Sequence, residues 1–223
     1  MAAYAGPNVV ANGLVMLLDA RDFYSYPGSG TGWYDISGNG VIGTLVNSPT
    51  FSSSYGGGVG FNGSNQGVTT TLSAFPTNFT IDIWFYPTNN VNKQVMIGNY
   101  PGPTSNGLGI EISGGNMNFF IFYSNVSATA ITNGAPILNT PQNAVASLNG
   151  TAMSFYQNLN SLGTATLGGA GPVQSSSVSL AYYAYNSSDW FTGTIFSAKV
   201  YNRALSFAEI TQNFNAHRGR FGL

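Results

Sequence analysis

From Ile112 to Ser188 the chain carries no charged side chain. So long a stretch without Asp, Glu, Lys or Arg cannot be covered by amphipathic surface helices, whose solvent faces are built from those residues. The whole chain of 223 residues has only six basic and seven acidic side chains, or 6% charged. An ordinary soluble domain has about a quarter. Polarity comes instead from 25 Asn, 24 Ser and 19 Thr, with 29 Gly to make turns. Leu, Ile, Val and Phe still make up about a quarter of the residues, enough to drive folding. Many short strands joined by tight loops are the architecture this composition permits.

The apolar runs fit that expectation. They fall at Leu14–Leu18, Val41–Val46, Val59–Asn62, Gly67–Thr71, Phe79–Tyr86, Gln94–Ile97, Leu108–Ile112, Met117–Tyr123, Ala144–Leu148, Ala152–Gln157, Thr164–Leu167, Val178–Tyr182 and Thr194–Tyr201. Each is bounded by turn residues, and together they predict two sheets of about a dozen strands. In Phe79–Tyr86, the residues Phe79, Ile81, Ile83 and Phe85 alternate with Thr80, Asp82, Trp84 and Tyr86. One face of that strand is core, and the other is either a ligand surface or covered by a further layer. Ser37-Gly38-Asn39-Gly40, Asn62-Gly63, Asn106-Gly107, Asn133-Gly134 and Asn149-Gly150 read as hairpin turns. Helical chemistry appears only at Ser206-Phe207-Ala208-Glu209, a capping box that opens one short helix at about residues 207–215. The length suits one domain.

Several classes of partner are excluded by composition. There is no cysteine, and the one imidazole is His217, so thiolate metal sites and cysteine nucleophiles are absent. A net charge of −1 lacks the basic footprint of a nucleic-acid binder. No apolar run is long enough for membrane insertion, and Met1–Pro7 lacks the basic segment of a secretory signal.

Two blocks carry a family resemblance. The first is Gly13–Ala20 with Ser25–Thr31 and Trp33-Tyr34-Asp35-Ile36-Ser37-Gly38-Asn39-Gly40. The second is Phe191–Ile195 with Val200-Tyr201-Asn202-Arg203-Ala204-Leu205-Ser206 and the helix through Glu209 and Ile210. Both resemble the laminin-G-like branch of the concanavalin A-like lectin/glucanase superfamily, and the looser segments Ile81–Tyr86 and Asn149–Asn158 lie where that family has a long strand and a hairpin. The resemblance implies an all-β, two-sheet antiparallel jelly roll with one short C-terminal helix over residues 13–216. An N-terminal arm (1–12) and a C-terminal tail (217–223) flank it. Together with the Arg-Gly-Arg-Phe tail, these blocks look like virion proteins of tailed bacteriophages. The function expected is therefore a non-catalytic virion protein, a capsid decoration or tail-fibre component whose partners are other virion proteins, a host-surface glycan and a second copy of itself. A bacterial lectin-like adhesion module is the alternative.

Candidate residues follow from chemistry. Glycan hydrolysis needs two carboxylates facing one sugar. The only glutamates are Glu111 and Glu209, and neither Glu111 nor Asp82 has an acid two or four positions away. Catalysis is not expected. Asp35, Ser37 and Asn39 have the opening spacing of a calcium loop, but the twelfth position is Val46, so a calcium ion is the less favoured reading and an Asp-anchored turn the favoured one. Asp82 and Trp84, and the aromatics Tyr183, Tyr185 and Trp190, are the candidate ligand contacts, with core or interface roles weighed against them. Structural roles are expected of Asp19, Trp33, Arg203, Ser206 and Glu209, with Arg203 pairing Asp19 or Asp189. The tail either solvates the helix end or docks on a neighbour.

Overall fold

The computed structural model describes residues 7–99, 106–124, 127–169, 177–184 and 187–223. Two eight-stranded antiparallel sheets face each other. The strands are β1 (Leu14–Asp19), β2 (Gly32–Tyr34), β3 (Ile42–Val46), β4 (Thr50–Ser52), β5 (Gly58–Asn62), β6 (Gly67–Thr70), β7 (Phe79–Pro87) and β8 (Gln94–Asn99). They continue as β9 (Gly107–Ser113), β10 (Asn116–Ser124), β11 (Ser127–Thr132), β12 (Gln142–Asn149), β13 (Ala152–Gln157), β14 (Asn160–Thr166), β15 (Ser179–Leu180) and β16 (Thr192–Tyr201). Sheet I runs β14-β13-β12-β7-β16-β5-β4. Along its flank β16 is shared end to end, Thr192–Ile195 pairing β5 and Ser197–Tyr201 pairing β1. Sheet II runs β11-β10-β9-β8-β15-β6-β3-β2. Every run expected to be a strand is one, and the all-β sandwich with one C-terminal helix is the observed fold.

The core lies between the sheets, filled by alternate residues such as Phe79, Ile81, Ile83 and Phe85 of β7 and Met117, Phe119 and Ile121 of β10, all fully buried. Trp33 of β2 is buried in the same core. The helix α1 spans Phe207–Arg218 and continues as a 3₁₀ turn, Gly219–Phe221. The capping box is present, with the Glu209 amide donating to Ser206 Oγ at 3.3 Å and the Ser206 amide donating to Glu209 Oε2 at 2.9 Å. The helix is longer than expected because His217 and Phe221 add buried surface beyond the capping box.

Three expectations about chain ends and turns are corrected. Asn62-Gly63 and Asn133-Gly134 are not hairpins, because β5 and β6, and likewise β11 and β12, lie in opposite sheets. The tail does not merely solvate the helix end but packs on its own domain, since Phe221 stacks on Trp84 with ring centroids 4.4 Å apart, and Arg220 pairs with Asp19 at 2.9 Å. Residues 8–12 of the N-terminal arm are likewise hydrogen-bonded within the chain. The Val10 amide donates to Asn213 Oδ1, and Asn8 and Asn12 carbonyls accept from Gln212 and Arg203.

Candidate functional site

The outer face of β7 is covered by α1. Asp82 and Trp84 are essentially unexposed, so this face is the covered layer and not a surface for ligand. Trp84 is sandwiched by Phe214 of α1 and Phe221. Asp82 lies opposite Lys199 on β16, with Nζ 3.4 Å from Oδ1, and accepts from Asn143 Nδ2 at 2.8 Å. Thr80 takes the Leu205 amide at 2.8 Å and donates to the Arg203 carbonyl, fixing the chain as it enters the helix. Arg203 pairs with neither Asp19 nor Asp189. It grips Glu209 through both guanidinium ends, at 3.0 and 2.5 Å, because the capping box places that carboxylate beside it. The Arg203 hydrogen bonds hold the Glu209 carboxyl down at about 2.

The Asp35 loop is a turn. Its Oδ1 accepts the amides of Leu17 and Ser37, and Oδ2 accepts the Ser37 hydroxyl and Asn39 amide, at 2.7–3.1 Å. Asn39 Nδ2 donates to the Leu14 carbonyl and Ser37 Oγ. Both carboxylate oxygens thus accept hydrogen bonds from the loop, the arrangement of an Asp-anchored turn. Among the described residues, no three His, Asp or Glu side chains meet as a metal site.

The sequence's aromatic candidates converge instead on the outer face of sheet II. Tyr182 lies over Gly67 of β6, where a Cβ would meet its ring at 2.2 Å. Tyr183 lies over Gly98 of β8, where a Cβ would meet its ring at 3.1 Å. At Gly67 the ring occupies the position of a side chain, and at Gly98 the Leu108 carbonyl, 2.8 Å from a Cβ, excludes one as well. A second layer covers these rings: Trp190 stacks flat on Tyr182, 4.4 Å apart and inclined 6°, and Lys93 Nζ sits 5.5 Å above Tyr183. Tyr183 is therefore buried, while Trp190 is half-buried with its outer side toward solvent. Tyr185 lies outside the described residues.

A polar cluster adjoins the stack. Glu111 of β9 accepts from Asn118 Nδ2 at 2.9 Å and from the Tyr183 hydroxyl at 3.1 Å, and Asn118 in turn accepts from Thr132. Lys93 bridges Glu111 at 3.4 Å and Asp189 at 3.3 Å. No strand carries an alternating carboxylate pair, but folding brings Asp189 and Glu111 to one lysine across 78 residues of sequence, which spacing alone could not reveal. Burial raises the Glu111 pKa, with Lys93 and the two hydrogen bonds opposing it. Burial acts against the Lys93 ammonium, yet Glu111 and Asp189 outweigh it and raise its pKa. Both partners of the lysine are thereby tied down. What reaches solvent here is the Trp190 ring, the half-exposed Lys93 ammonium and part of the Asp189 side chain.

This architecture and the sequence agree with a known family. A family profile described as concanavalin A-like lectin/glucanases superfamily matches residues 62–211. The chain belongs to the concanavalin A-like lectin/glucanases superfamily. The match includes Lys93, Glu111, Tyr183 and Trp190 but begins after the Asp35 block. No curated protein matches the sequence. Among solved structures, domain 4 of AbnA, a GH43 extracellular arabinanase from Geobacillus stearothermophilus in complex with arabinotriose, superposes with a TM-score of 0.72. It is 14% identical, over 91% of this chain and 98% of that one. The botulinum neurotoxin serotype D binding domain has a TM-score of 0.72 at 12% identity over 93% of this chain. The binding domain of Paraclostridial Mosquitocidal Protein 1 has 0.70 at 16% over 92%. The chain spans about half of each toxin domain, 52%. At these identities, what the structures share with this concanavalin A-like chain is the jelly-roll fold.

Proposed function

We propose that this chain is a non-catalytic carbohydrate-binding domain. The observation that carries the reading is the half-exposed Trp190 ring, backed by Tyr182 and flanked by Lys93 and Asp189, on the outer face of sheet II. A rigid aromatic face offers a sugar ring an apolar surface, and the adjacent ammonium and carboxylate offer a donor and an acceptor to its hydroxyls. Family membership and the arabinotriose in the arabinanase domain's structure favour a glycan as the ligand. Glu111 is buried and held by three donors, and Asp189 is committed to Lys93, so neither is free to protonate or attack a glycosidic bond.

Of the three tryptophans, Trp33 and Trp84 are fully buried and only Trp190 reaches solvent. Titration with arabinotriose, cellotetraose, xylotetraose or a sialylated glycan, read by tryptophan emission, therefore reports on this site. Saturable change with at least one glycan is expected, together with about tenfold weaker binding, read by calorimetry, for Trp190→Ala in a protein of unchanged melting temperature. Silence with every glycan defeats the proposal.

The setting we propose is the particle of a tailed bacteriophage, as a capsid decoration or tail-fibre component. The end blocks, the tail and the sparse charge support it. Mass spectrometry of purified particles decides between this setting and a bacterial adhesion module.

A further inference from the structure

A second unassigned surface lies on the outer face of sheet I, beside the C-terminal turn. Two hollows of about 220 and 370 Å³ share Thr194 of β16. The first is walled by Ser52, Ser54, Tyr55, Tyr86 and Phe196. The second continues over Gly60 toward Asn62, Gln66 and Thr88. No charged side chain lines either one. Gly60 of β5 points no side chain into the space, which leaves a trough between β4 and β16.

The tyrosines at its head are held in place. Tyr55 has φ of +52°, a left-handed conformation that costs a bulky residue on the order of 1–3 kcal/mol. The fold holds it there. Arg220 donates to the Tyr55 carbonyl at 2.8 Å and to the Gly57 carbonyl at 2.6 Å, while its other arm is fixed on Asp19. The Tyr55 ring packs on Phe196 and Phe221 and lies 6.1 Å from Tyr86. Two rings half-open to solvent are thus fixed at the head of the trough, and Tyr55 itself is 41% exposed. Strain retained at an exposed aromatic, and clamped by a buried arginine, is the pattern of a preorganised contact. The hydroxyls of Tyr55, Tyr86, Ser54 and Thr194 have no hydrogen-bond partner among the described residues and remain available. A larger hollow of about 650 Å³ over β12–β14 offers Ser, Thr and Ala but no aromatic ring, so it lacks the stacking element.

We infer that the Tyr55–Tyr86 trough is a second binding site of this domain, for an uncharged oligosaccharide. Apolar ring faces, free hydroxyls and the amides of Asn62 and Gln66 suit linked sugar rings, and the uncharged lining gives no counter-ion to a uronate or sialate. Two hollows joined at Thr194 favour a chain of rings over a single sugar. The inference goes beyond the Trp190 site and does not depend on it, because the two surfaces lie on opposite sheets.

Calorimetry of the full chain with arabinotriose, cellotetraose and xylotetraose, run beside the Trp190 emission titration, tests it. Tyr55→Asn removes the ring while keeping a residue that accepts positive φ, and Thr194→Lys places a long charged chain at the junction. For a neutral glycan that binds, both are expected to weaken one calorimetric component by about tenfold, equivalent to about 1.4 kcal/mol, without altering the Trp190 titration or the melting temperature by more than a few degrees. Heat of binding that survives Trp190→Ala and disappears in Thr194→Lys would establish this site even if the Trp190 proposal failed. Wild-type binding by both folded variants, loss of all binding in Trp190→Ala, or no heat with any neutral glycan overturns the inference.

Discussion

The two sheets cover their outer faces in opposite ways. Sheet I is roofed by a helix, and an acid and a base, Asp82 and Lys199, are sealed beneath it with almost no exposure. Among the described residues no helix covers sheet II, and its roof is a layer of rings lying on glycines, with Lys93 still 46% exposed where it joins Glu111 and Asp189. Both faces thus pair a lysine with a carboxylate, one with Asp82 alone and the other with Glu111 and Asp189 together. Burial separates the two arrangements: the sealed pair ties β7 to β16 beneath the helix, and the open one faces solvent.

The sharpest way to break this contrast is to remove one partner of the sealed pair. Asp82→Ala leaves Lys199 charged and uncompensated under α1, and should cost about 3–5 kcal/mol in urea unfolding. Replacing both residues with apolar ones of similar size should restore most of that loss. If Asp82→Ala costs under about 1 kcal/mol, the pair is wetter than its burial implies and the distinction between the two faces fails.

How far the sequence reaches is visible in the same residues. Alternation made the inward side of β7 legible, because Phe79, Ile81, Ile83 and Phe85 can only be core. It could not say what covers Asp82 and Trp84. The cover comes from Phe214 and Phe221, some 130 residues later, and periodicity is a local signal. The capping box is equally local, and it was readable down to the hydrogen bonds. Arg203 pairs with Glu209 and not with an aspartate because one carboxylate serves both the cap and the guanidinium, a double use that spacing does not display. The short strands β2, β4 and β11 escaped notice, since three residues or an Ala-Thr alternation give no apolar run. The Tyr55–Tyr86 trough was invisible for a further reason: its walls come from β4, β5, β7 and β16, and the cue, a tyrosine with positive φ, exists only in three dimensions.

A smaller effect, confined to sheet I, comes from His217. Burial first, then the positive charges of Lys199, Arg220 and Arg21, hold its pKa well below the ordinary value. Asp19 lies 3.6 Å from Nε2 but is already engaged by Arg220. The imidazole is neutral when folded and takes up a proton near pH 6.5 once unfolded. Its contribution to stability is complete above about pH 6.5 and declines as pH falls below it, by up to about 1.4 kcal/mol per pH unit for one proton. The stability difference between wild type and His217→Gln, measured from pH 7.5 to 5, should therefore shrink toward acid. A constant difference would mean that the ring takes up its proton at the same pH folded and unfolded.

The smallest effect belongs to sheet II and has the opposite slope. Glu111 holds its proton more tightly in the fold than in the unfolded chain, because burial raises its pKa. Its ionisation therefore detracts from stability as pH rises from about 4.5 through the raised value. Lys93 offsets part of that cost. Lys93→Ala should destabilise by less than about 1 kcal/mol at neutral pH, as befits a half-exposed pair. Without the ammonium, the Glu111 pKa rises further, so the loss should grow between pH 4 and pH 8 and vanish toward acid, where the carboxyl is protonated in both states. Denaturation curves of the two proteins at those pH values measure it. A loss that is the same at pH 4 and pH 8 would show that Lys93 does not act through Glu111, and the roof of sheet II would then be held by the stacked rings alone.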